Sequence, residues 1–142
     1  MKDELLNKIK CFIEDINKKY TIELAYLFGS IAKGEANNMS DIDIAIKFMN
    51  EYSSLEDIFI RGEIIDLGQG IFHMPMDVVN LDNASVFLKH EIVKHGIVLK
   101  DCYERATFES LVFREYFDFK YYSDTYDKNV VARLKNKTYF GR

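Results

Sequence analysis

The chain has 142 residues, of which 48% are hydrophobic and 30% charged, and its formal net charge is −4. This length and composition predict a single soluble globular domain and exclude a disordered chain. The acidic balance argues against general nucleic-acid binding, which requires a basic surface.

The cysteines and the hydropathy pattern indicate an intracellular protein. Cys11 and Cys102 lie in unrelated contexts, without a CxxC pair or a histidine at ligand spacing, and are interpreted as reduced thiols. The first seven residues are charged and mixed rather than signal-like, and no apolar run reaches the length of a membrane span. We therefore expect a cytoplasmic protein with no membrane partner.

The first half of the chain predicts a helix and two strands. Apolar residues recur at intervals of three and four over residues 2–19, which indicates an amphipathic helix. Strands are predicted over residues 23–28 and 41–47. On the second strand Asp41 and Asp43 share a face with Ala45, while the isoleucines between them face the opposite way. Two carboxylates held together in this way repel each other, and Mg²⁺ or Mn²⁺ would relieve the repulsion.

The turn between the two strands contains a phosphate-binding pattern. Gly29 and Ser30 follow the first strand directly, so the backbone can approach a ligand closely and its N–H groups and the hydroxyl remain available. Ten residues later, Ser40 precedes the two aspartates. The alternative is a β-hairpin with a long polar loop and a solvated acidic strand end.

The middle of the chain predicts two further helices and two short strands. Ser53 and Glu56 have the form of a capping box, and the helix that they begin is expected to end near Leu67, with glycines supplying the turn that follows. A strand is predicted over residues 76–81. It carries Asp77 among apolar residues, and burying this acid costs free energy unless something pairs with it. The alternative is an ordinary acid at the end of a strand that faces water.

After that strand, Asp82 or Asn83 is expected to cap a helix over residues 84–95. Gly96 closes this helix in a position that tolerates a left-handed backbone, and residues 97–99 form the fourth strand. The histidines lack metal-ligand spacing and are interpreted as bystanders; they are His73, His90 and His95.

From residue 101 the pattern is helical to about residue 134 and carries two offset aromatic stripes. The segment is either one long helix, some of whose aromatic surface contacts another protein, or two helices folded back on each other. The predicted organisation is a core over residues 1–100, a helical and partner-binding segment over 101–135, and a loose tail over 136–142.

The motif from Gly29-Ser30 to Asp41-Ile42-Asp43 resembles the signature of the DNA polymerase β-like nucleotidyltransferases. Together with residues 103–127, it resembles in particular the minimal nucleotidyltransferases (MNT), the antitoxin half of HEPN/MNT toxin–antitoxin pairs. One departure is Lys33, where the family usually carries an arginine that can hold a phosphate bidentately. The resemblance implies an α/β (α+β) nucleotidyltransferase fold: a small mixed sheet of about four strands, flanked by helices, with a long C-terminal helical segment.

The resemblance also implies roles for particular residues. Asp41, Asp43 and Asp77 would be catalytic, and they would hold two Mg²⁺ ions, with Mn²⁺ as a substitute. Asp77 would be the third metal-binding carboxylate and could also help to deprotonate the acceptor hydroxyl. ATP would be the substrate. The implied nucleotide-binding residues are Gly29, Ser30, Lys33 and Ser40.

The implied reaction is transfer of AMP from ATP to a tyrosine hydroxyl of a cognate HEPN ribonuclease toxin, which would silence it. No direct nucleic-acid partner is expected. Three alternatives remain open: a non-catalytic antitoxin that acts by contact, a small-molecule nucleotidyltransferase of the aminoglycoside type, and a nucleotide sensor.

Overall fold

The computed structural model describes residues 2–35, 37 and 40–136. Five helices and four strands alternate along this part of the chain. In chain order they are α1 (Lys2–Lys19), β1 (Ile22–Phe28), α2 (Gly29–Lys33), β2 (Ile42–Phe48), α3 (Ser54–Phe72), β3 (Met76–Asn80), α4 (Val86–His95), β4 (Ile97–Lys100) and α5 (Arg105–Asn136).

The four strands form one mixed sheet in the order β3-β2-β1-β4. Strand β1 pairs antiparallel with β2 and with β4, whereas β2 and β3 run parallel. The predicted fold class, a small mixed sheet of four strands flanked by helices, is therefore confirmed. Within the described residues, no helix is both long enough and apolar enough to cross a membrane.

Each face of the sheet carries its own hydrophobic core, as the alternation on β2 predicts. Ile42, Ile44 and Ile46 are fully buried in the core that includes α1 and α3. On the other face, Ala45 and Tyr26 pack in a smaller core that α4 and the first turns of α5 cover. Asp43 of β2 lies on this second face.

Helix α3 is longer than predicted. It begins at the expected capping box of Ser53 and Glu56 but continues to Phe72, and His73 ends it in the left-handed conformation with φ 56°. The prediction of an end near Leu67 is wrong because glycine lowers helix stability by only about 1 kcal/mol, which tertiary packing can offset. Gly68 shows such packing, since a Cβ there would lie 2.3 Å from the Met76 sulfur.

The start and end of α4 also differ from the prediction. A 3₁₀ turn over Leu81–Asn83 follows β3, so neither of its polar residues caps α4; Ser85 does so by accepting the Leu88 backbone N–H at 3.2 Å. Gly96 is extended, with φ −74°, rather than left-handed. A glycine is needed there for another reason, because a Cβ would lie 2.3 Å from the Ile92 carbonyl oxygen.

Helix α5 is a single unbroken helix of 32 residues, which makes it about 48 Å long. The Tyr26 hydroxyl donates to Glu109 Oε2 at 2.6 Å and so fastens the first turns of α5 to the sheet. Burial and the Glu109 carboxylate raise the pKa of Tyr26 above its usual range. The predicted loose tail lies outside the described residues, apart from Asn136.

A buried charge network joins α3 to β3, which forms one edge of the sheet. Asp57 is 4% exposed, and it accepts from Arg61 Nε at 2.9 Å and from Asn80 Nδ2 at 2.8 Å. Arg61 also donates to the Val78 carbonyl at 3.4 Å, and Gln69 accepts the Met76 backbone N–H at 3.3 Å. Side chains of α3 therefore hold β3 by its outer edge.

Candidate active site

The candidate site lies where β1 ends and β2 begins. Phe28, the last residue of β1, is the register partner of Asp43 on β2, so the turn at Gly29 passes directly over the Asp43 side chain. Gly29 has φ +78°, and a Cβ at this position would lie 2.1 Å from Asp43 Oδ2. Both the backbone conformation and the close approach therefore require glycine here.

The parallel pairing of β2 with β3 places a second carboxylate beside Asp43. Asp43 and Asp77 are Cα partners across the two strands, and both lie on the face opposite the buried isoleucines. Asp41 stands just before β2, two residues from Asp43, and is exposed. All three predicted acidic residues thus belong to one neighbourhood at the start of β2.

The three acids affect each other electrostatically. Burial, and then the negative charges of Asp41 and Asp77, raise the pKa of Asp43 from its usual 3.8 to about 6. No cationic side chain contributes to this shift. The fold therefore holds a partly buried carboxylate whose ionised form is disfavoured in the protein alone.

We expect this raised pKa to make the metal-free protein less stable as the pH rises from about 4 to about 6. In that window the unfolded chain has already lost its Asp43 proton, whereas the folded chain still holds it, so ionisation favours unfolding. Because Asp43 is only partly buried, solvent screening should keep the loss below the ~3 kcal/mol that a shift of about two pKa units would represent in a dry interior. Urea unfolding in chelator at pH 4, 5, 6 and 7 would measure the loss.

The matched variant Asp43→Asn lacks this titration. The difference in unfolding free energy between the wild type and Asp43→Asn should therefore change across this window and become constant above it. A difference that does not vary with pH would contradict the raised pKa. Glu14→Gln, on the exposed surface of α1, serves as the control for the general effect of removing a carboxylate.

The predicted nucleotide-binding residues surround the turn after β1. The Ser30 hydroxyl donates to Ser40 Oγ at 3.2 Å, and the same oxygen accepts the Asn37 backbone N–H at 2.8 Å. These bonds connect the start of α2 with Asn37 and with Ser40, just before β2. Lys33, on the last turn of α2, forms an ion pair with Glu91 Oε1 of α4 at 2.8 Å.

Residues 8–105 of the chain match the family described as polymerase beta, nucleotidyltransferase. The matched segment runs from α1 to the start of α5 and contains every residue of the candidate site. The chain belongs to this nucleotidyltransferase family. The resemblance inferred from the Gly-Ser turn and the Asp-x-Asp motif is thereby confirmed.

Two proteins of Methanocaldococcus jannaschii that are named as protein adenylyltransferases are similar in sequence to this nucleotidyltransferase. One is 35% identical over 77 residues, which cover 54% of this chain and 71% of the relative. The other is 28% identical over 92 residues, which cover 65% of this chain and 95% of the relative.

Solved toxin–antitoxin complexes contain chains with the same fold. A chain of a complex with AMP-PNP aligns with a TM-score of 0.72 and 22% identity, covering 86% of this chain and 98% of the other. A chain of a complex between an MNT antitoxin and a tri-AMPylated HEPN toxin of Shewanella oneidensis aligns with a TM-score of 0.70 and 23% identity, covering 92% and 99%. At these identities the likeness establishes the fold.

The acidic residues of this nucleotidyltransferase fit a divalent cation by their chemistry. Carboxylate oxygens are the hard donors that Mg²⁺ and Mn²⁺ prefer, and the pKa of Asp43 is raised by burial first and then by the negative charges of Asp41 and Asp77. Among the described residues, however, no three carboxylate or imidazole side chains converge into a ready-made metal cluster. Asp41, Asp43 and Asp77 are thus candidate ligands by donor type, charge and placement.

Two features of the site escaped the sequence analysis. Glu91 reaches Lys33 from a helix that lies 58 positions later in the chain, and nothing in the local pattern indicates that the two meet. The network around Asp57 supports the strand that carries Asp77, since Asn80 lies three residues further along it. The sequence gives no signal for Asp57, because apolar residues lie on both the exposed and the buried sides of α3.

Proposed function

We propose that this chain is a Mg²⁺-dependent antitoxin that transfers AMP from ATP to a tyrosine hydroxyl of a cognate HEPN ribonuclease toxin. The observation that carries the proposal is the contact between the Gly29 turn and Asp43, with Asp77 opposite in register. A triphosphate held by this turn would lie beside a group of carboxylates. Adenylyl transfer requires both, because the triphosphate must be held while charge develops on it.

Each residue has a distinct task in this proposal. Backbone N–H groups of the Gly29 turn and the Ser30 hydroxyl would grip the β- and γ-phosphates. Asp41, Asp43 and Asp77 would hold two Mg²⁺ ions, which would neutralise charge on the α-phosphate and on the departing pyrophosphate. Asp77 is exposed on β3, an edge strand of the sheet, and is the residue best placed to accept the proton of the acceptor hydroxyl.

Lys33 would bind a phosphate only if its ion pair with Glu91 broke. Their side chains are 37% and 46% exposed, so solvent screens this ion pair and weakens it. A triphosphate could therefore displace Glu91 at small cost. Because lysine lacks the fork of arginine, its contact would supply charge rather than bidentate geometry.

The surface proposed for the toxin is the aromatic face of α5. Phe117, Tyr121 and Tyr122 are each more than half exposed, although α5 packs on α4 through a stack of Tyr116 on His90 at 3.6 Å between ring centroids. Exposed aromatic side chains that cluster on one helix are typical anchors of a protein interface. The solved structures with the same fold are chains of toxin–antitoxin complexes, which supports a protein partner for this chain.

Intact mass spectrometry of the protein that co-purifies with this chain tests the proposal. Incubation with ATP and Mg²⁺ should add mass in steps of one AMP, and peptide mapping should place the addition on a tyrosine. The Asp41→Asn, Asp43→Asn double variant should add nothing, and chelator should have the same effect on the wild type.

Two further measurements distinguish silencing of the partner by AMP transfer from silencing by binding alone. Ribonuclease activity of the partner should fall as AMP is added, and should stay high in the complex with the double variant. A partner that is silenced without any gain in mass would contradict the proposal and favour an antitoxin that acts by contact. The Phe117→Ser, Tyr121→Ser variant tests α5, since it should lose the partner while keeping its fold.

A further inference from the structure

A cleft opens beside Asp77, between the edge strand β3 and the N-terminal end of α4. Its volume is about 360 Å³, within the range of about 300–1,000 Å³ that is usual for ligand pockets. Val79 lines it from β3 and Leu88 from α4, and Arg61 of α3 lies at the outer edge of the strand. Asp77 therefore borders a space that can receive a side chain of another protein.

The order of the strands decides from which side an acceptor can reach the carboxylates. The Gly29 turn, which is proposed to hold the triphosphate, comes from β1 and passes over Asp43. Asp77 lies on β3, on the other side of β2. In phosphoryl transfer the attacking and leaving oxygens lie roughly in line, on opposite sides of the phosphorus. An acceptor should therefore approach from the side of β3, where the cleft lies.

We propose that this cleft binds the ring of the acceptor tyrosine, and that Val79 and Leu88 select a phenol over an aliphatic hydroxyl. It is called the acceptor cleft below. Val79 and Asp77 lie on the same face of β3, two residues apart, so their Cα atoms are separated by ~7 Å. A phenol ring packed against Val79 and Leu88 would direct its hydroxyl towards Asp77. The hydroxyl of serine is attached at Cβ and would leave both apolar walls without a partner.

This inference rests on the proposed function, because it names the residues that select the acceptor of the same reaction. In that reaction the phenolic oxygen forms a bond with the α-phosphorus of ATP. The bond between this phosphorus and the bridging oxygen breaks, and pyrophosphate leaves on the side of the Gly29 turn. Asp77 accepts the phenolic proton, which a free phenol with a pKa of about 10 holds at neutral pH.

The acceptor cleft is continuous with the aromatic surface proposed for the toxin. Phe87 precedes Leu88 on α4 and is 54% exposed. Its ring packs edge-on against Phe119 of α5, at 5.0 Å between ring centroids. Neighbouring residues of α4 thus contact the cleft and α5. A toxin bound to α5 can therefore reach the acceptor cleft across the first turn of α4.

The rate of AMP transfer within the purified complex, at saturating ATP and Mg²⁺, tests the acceptor cleft. Val79→Trp should fill the cleft and slow transfer at least ~10-fold, because the hydroxyl loses its orientation. Affinity for ATP, measured by calorimetry, and co-purification of the partner should not change, since neither depends on the cleft. Ile71→Trp is the matched control, because it adds the same ring to an exposed aliphatic residue beside α1.

Val79→Thr distinguishes a loss of fit from a loss of folding. Threonine keeps the shape and the β-propensity of valine but replaces one methyl group of the apolar wall by a hydroxyl. Transfer should slow at least ~3-fold, which is less than the ~10-fold or more for a group missing from a closed pocket. Thermal unfolding should stay close to that of the wild type, so this variant decides the matter if Val79→Trp does not fold.

The possible outcomes separate this inference from the proposed function. Transfer at the wild-type rate in the folded Val79 variants would overturn the acceptor cleft. A folded Val79→Trp that loses its partner or its affinity for ATP would also contradict it, because the cleft would then serve binding rather than selection of the acceptor. A wild-type complex that gains no AMP would instead refute the proposed function itself.

Discussion

Asp43→Asn is expected to abolish nucleotidyl transfer and to stabilise the fold at neutral pH. The amide keeps the shape of the carboxylate beneath the Gly29 turn but removes the charge that a divalent cation requires. We expect the transfer rate to fall by ~10³-fold or more, the scale on which loss of one electrostatic contact to the transition state acts. Stability should rise because burial and two neighbouring acids already disfavour the ionised Asp43.

Transfer of labelled AMP to the co-purified protein, measured beside thermal unfolding in chelator, would test both parts. Asp15→Asn is the control, since Asp15 is a surface carboxylate on α1 in a loose pair with Lys18 at 3.6 Å. A transfer rate within tenfold of the wild type would show that Asp43 is not a catalytic residue. A lower unfolding temperature in chelator would contradict the repulsion among the acids.

Asp57→Ala is expected to cause the largest loss of stability of any single substitution considered. Its side chain is 6% exposed and accepts from both Arg61 and Asn80, so its removal leaves a guanidinium and an amide without their acceptor. Breaking a buried pair in this way costs about 3 kcal/mol, somewhat reduced here because Arg61 is 32% exposed. The unfolding temperature should fall by roughly 10 °C.

Thermal and urea unfolding of Asp57→Ala measure the effect, with Asp15→Ala as the surface control. The double variant Asp57→Leu, Arg61→Met should recover part of the loss, because replacing both partners by apolar residues leaves no unpaired charge. A loss below 1 kcal/mol in Asp57→Ala would show that Arg61 and Asn80 find other partners. Such a result would also weaken the view that this network supports the strand of Asp77.

The neighbourhood of the acids could be predicted from the sequence because its determinants are local. Alternation on β2 sets the direction of Asp41 and Asp43, and a glycine directly after an apolar strand marks the turn. The position of Asp77 could not be predicted from local pattern, since only the parallel register between β2 and β3 places it beside Asp43. That register depends on packing across the sheet, which a single sequence does not display.

Helix length was predicted less well because tertiary contacts offset weak local signals. By propensity, the glycines of α3 indicate a turn. The buried Ile60 and Ile64 nevertheless pack the helix on the core, and the helix continues past the glycines. The ion pair between Lys33 and Glu91 could not be predicted from the sequence either, because it joins surface side chains of two helices that are distant in the chain. For α5 the periodicity permitted one helix or two, and the structure selects one.

The hydrogen bonds between α3 and the outer edge of β3 affect how the protein behaves in concentrated solution. An edge strand with unpaired backbone groups is a template for strands of other molecules, and such pairing leads to aggregation. Gln69 accepts from the backbone of Met76, and Arg61 donates to that of Val78, so part of this edge is already satisfied. Because Asp57 holds Arg61 in place, loss of Asp57 would also expose backbone groups of this edge, so heating should precipitate the variant at high protein concentration, whereas the dilute variant should unfold reversibly.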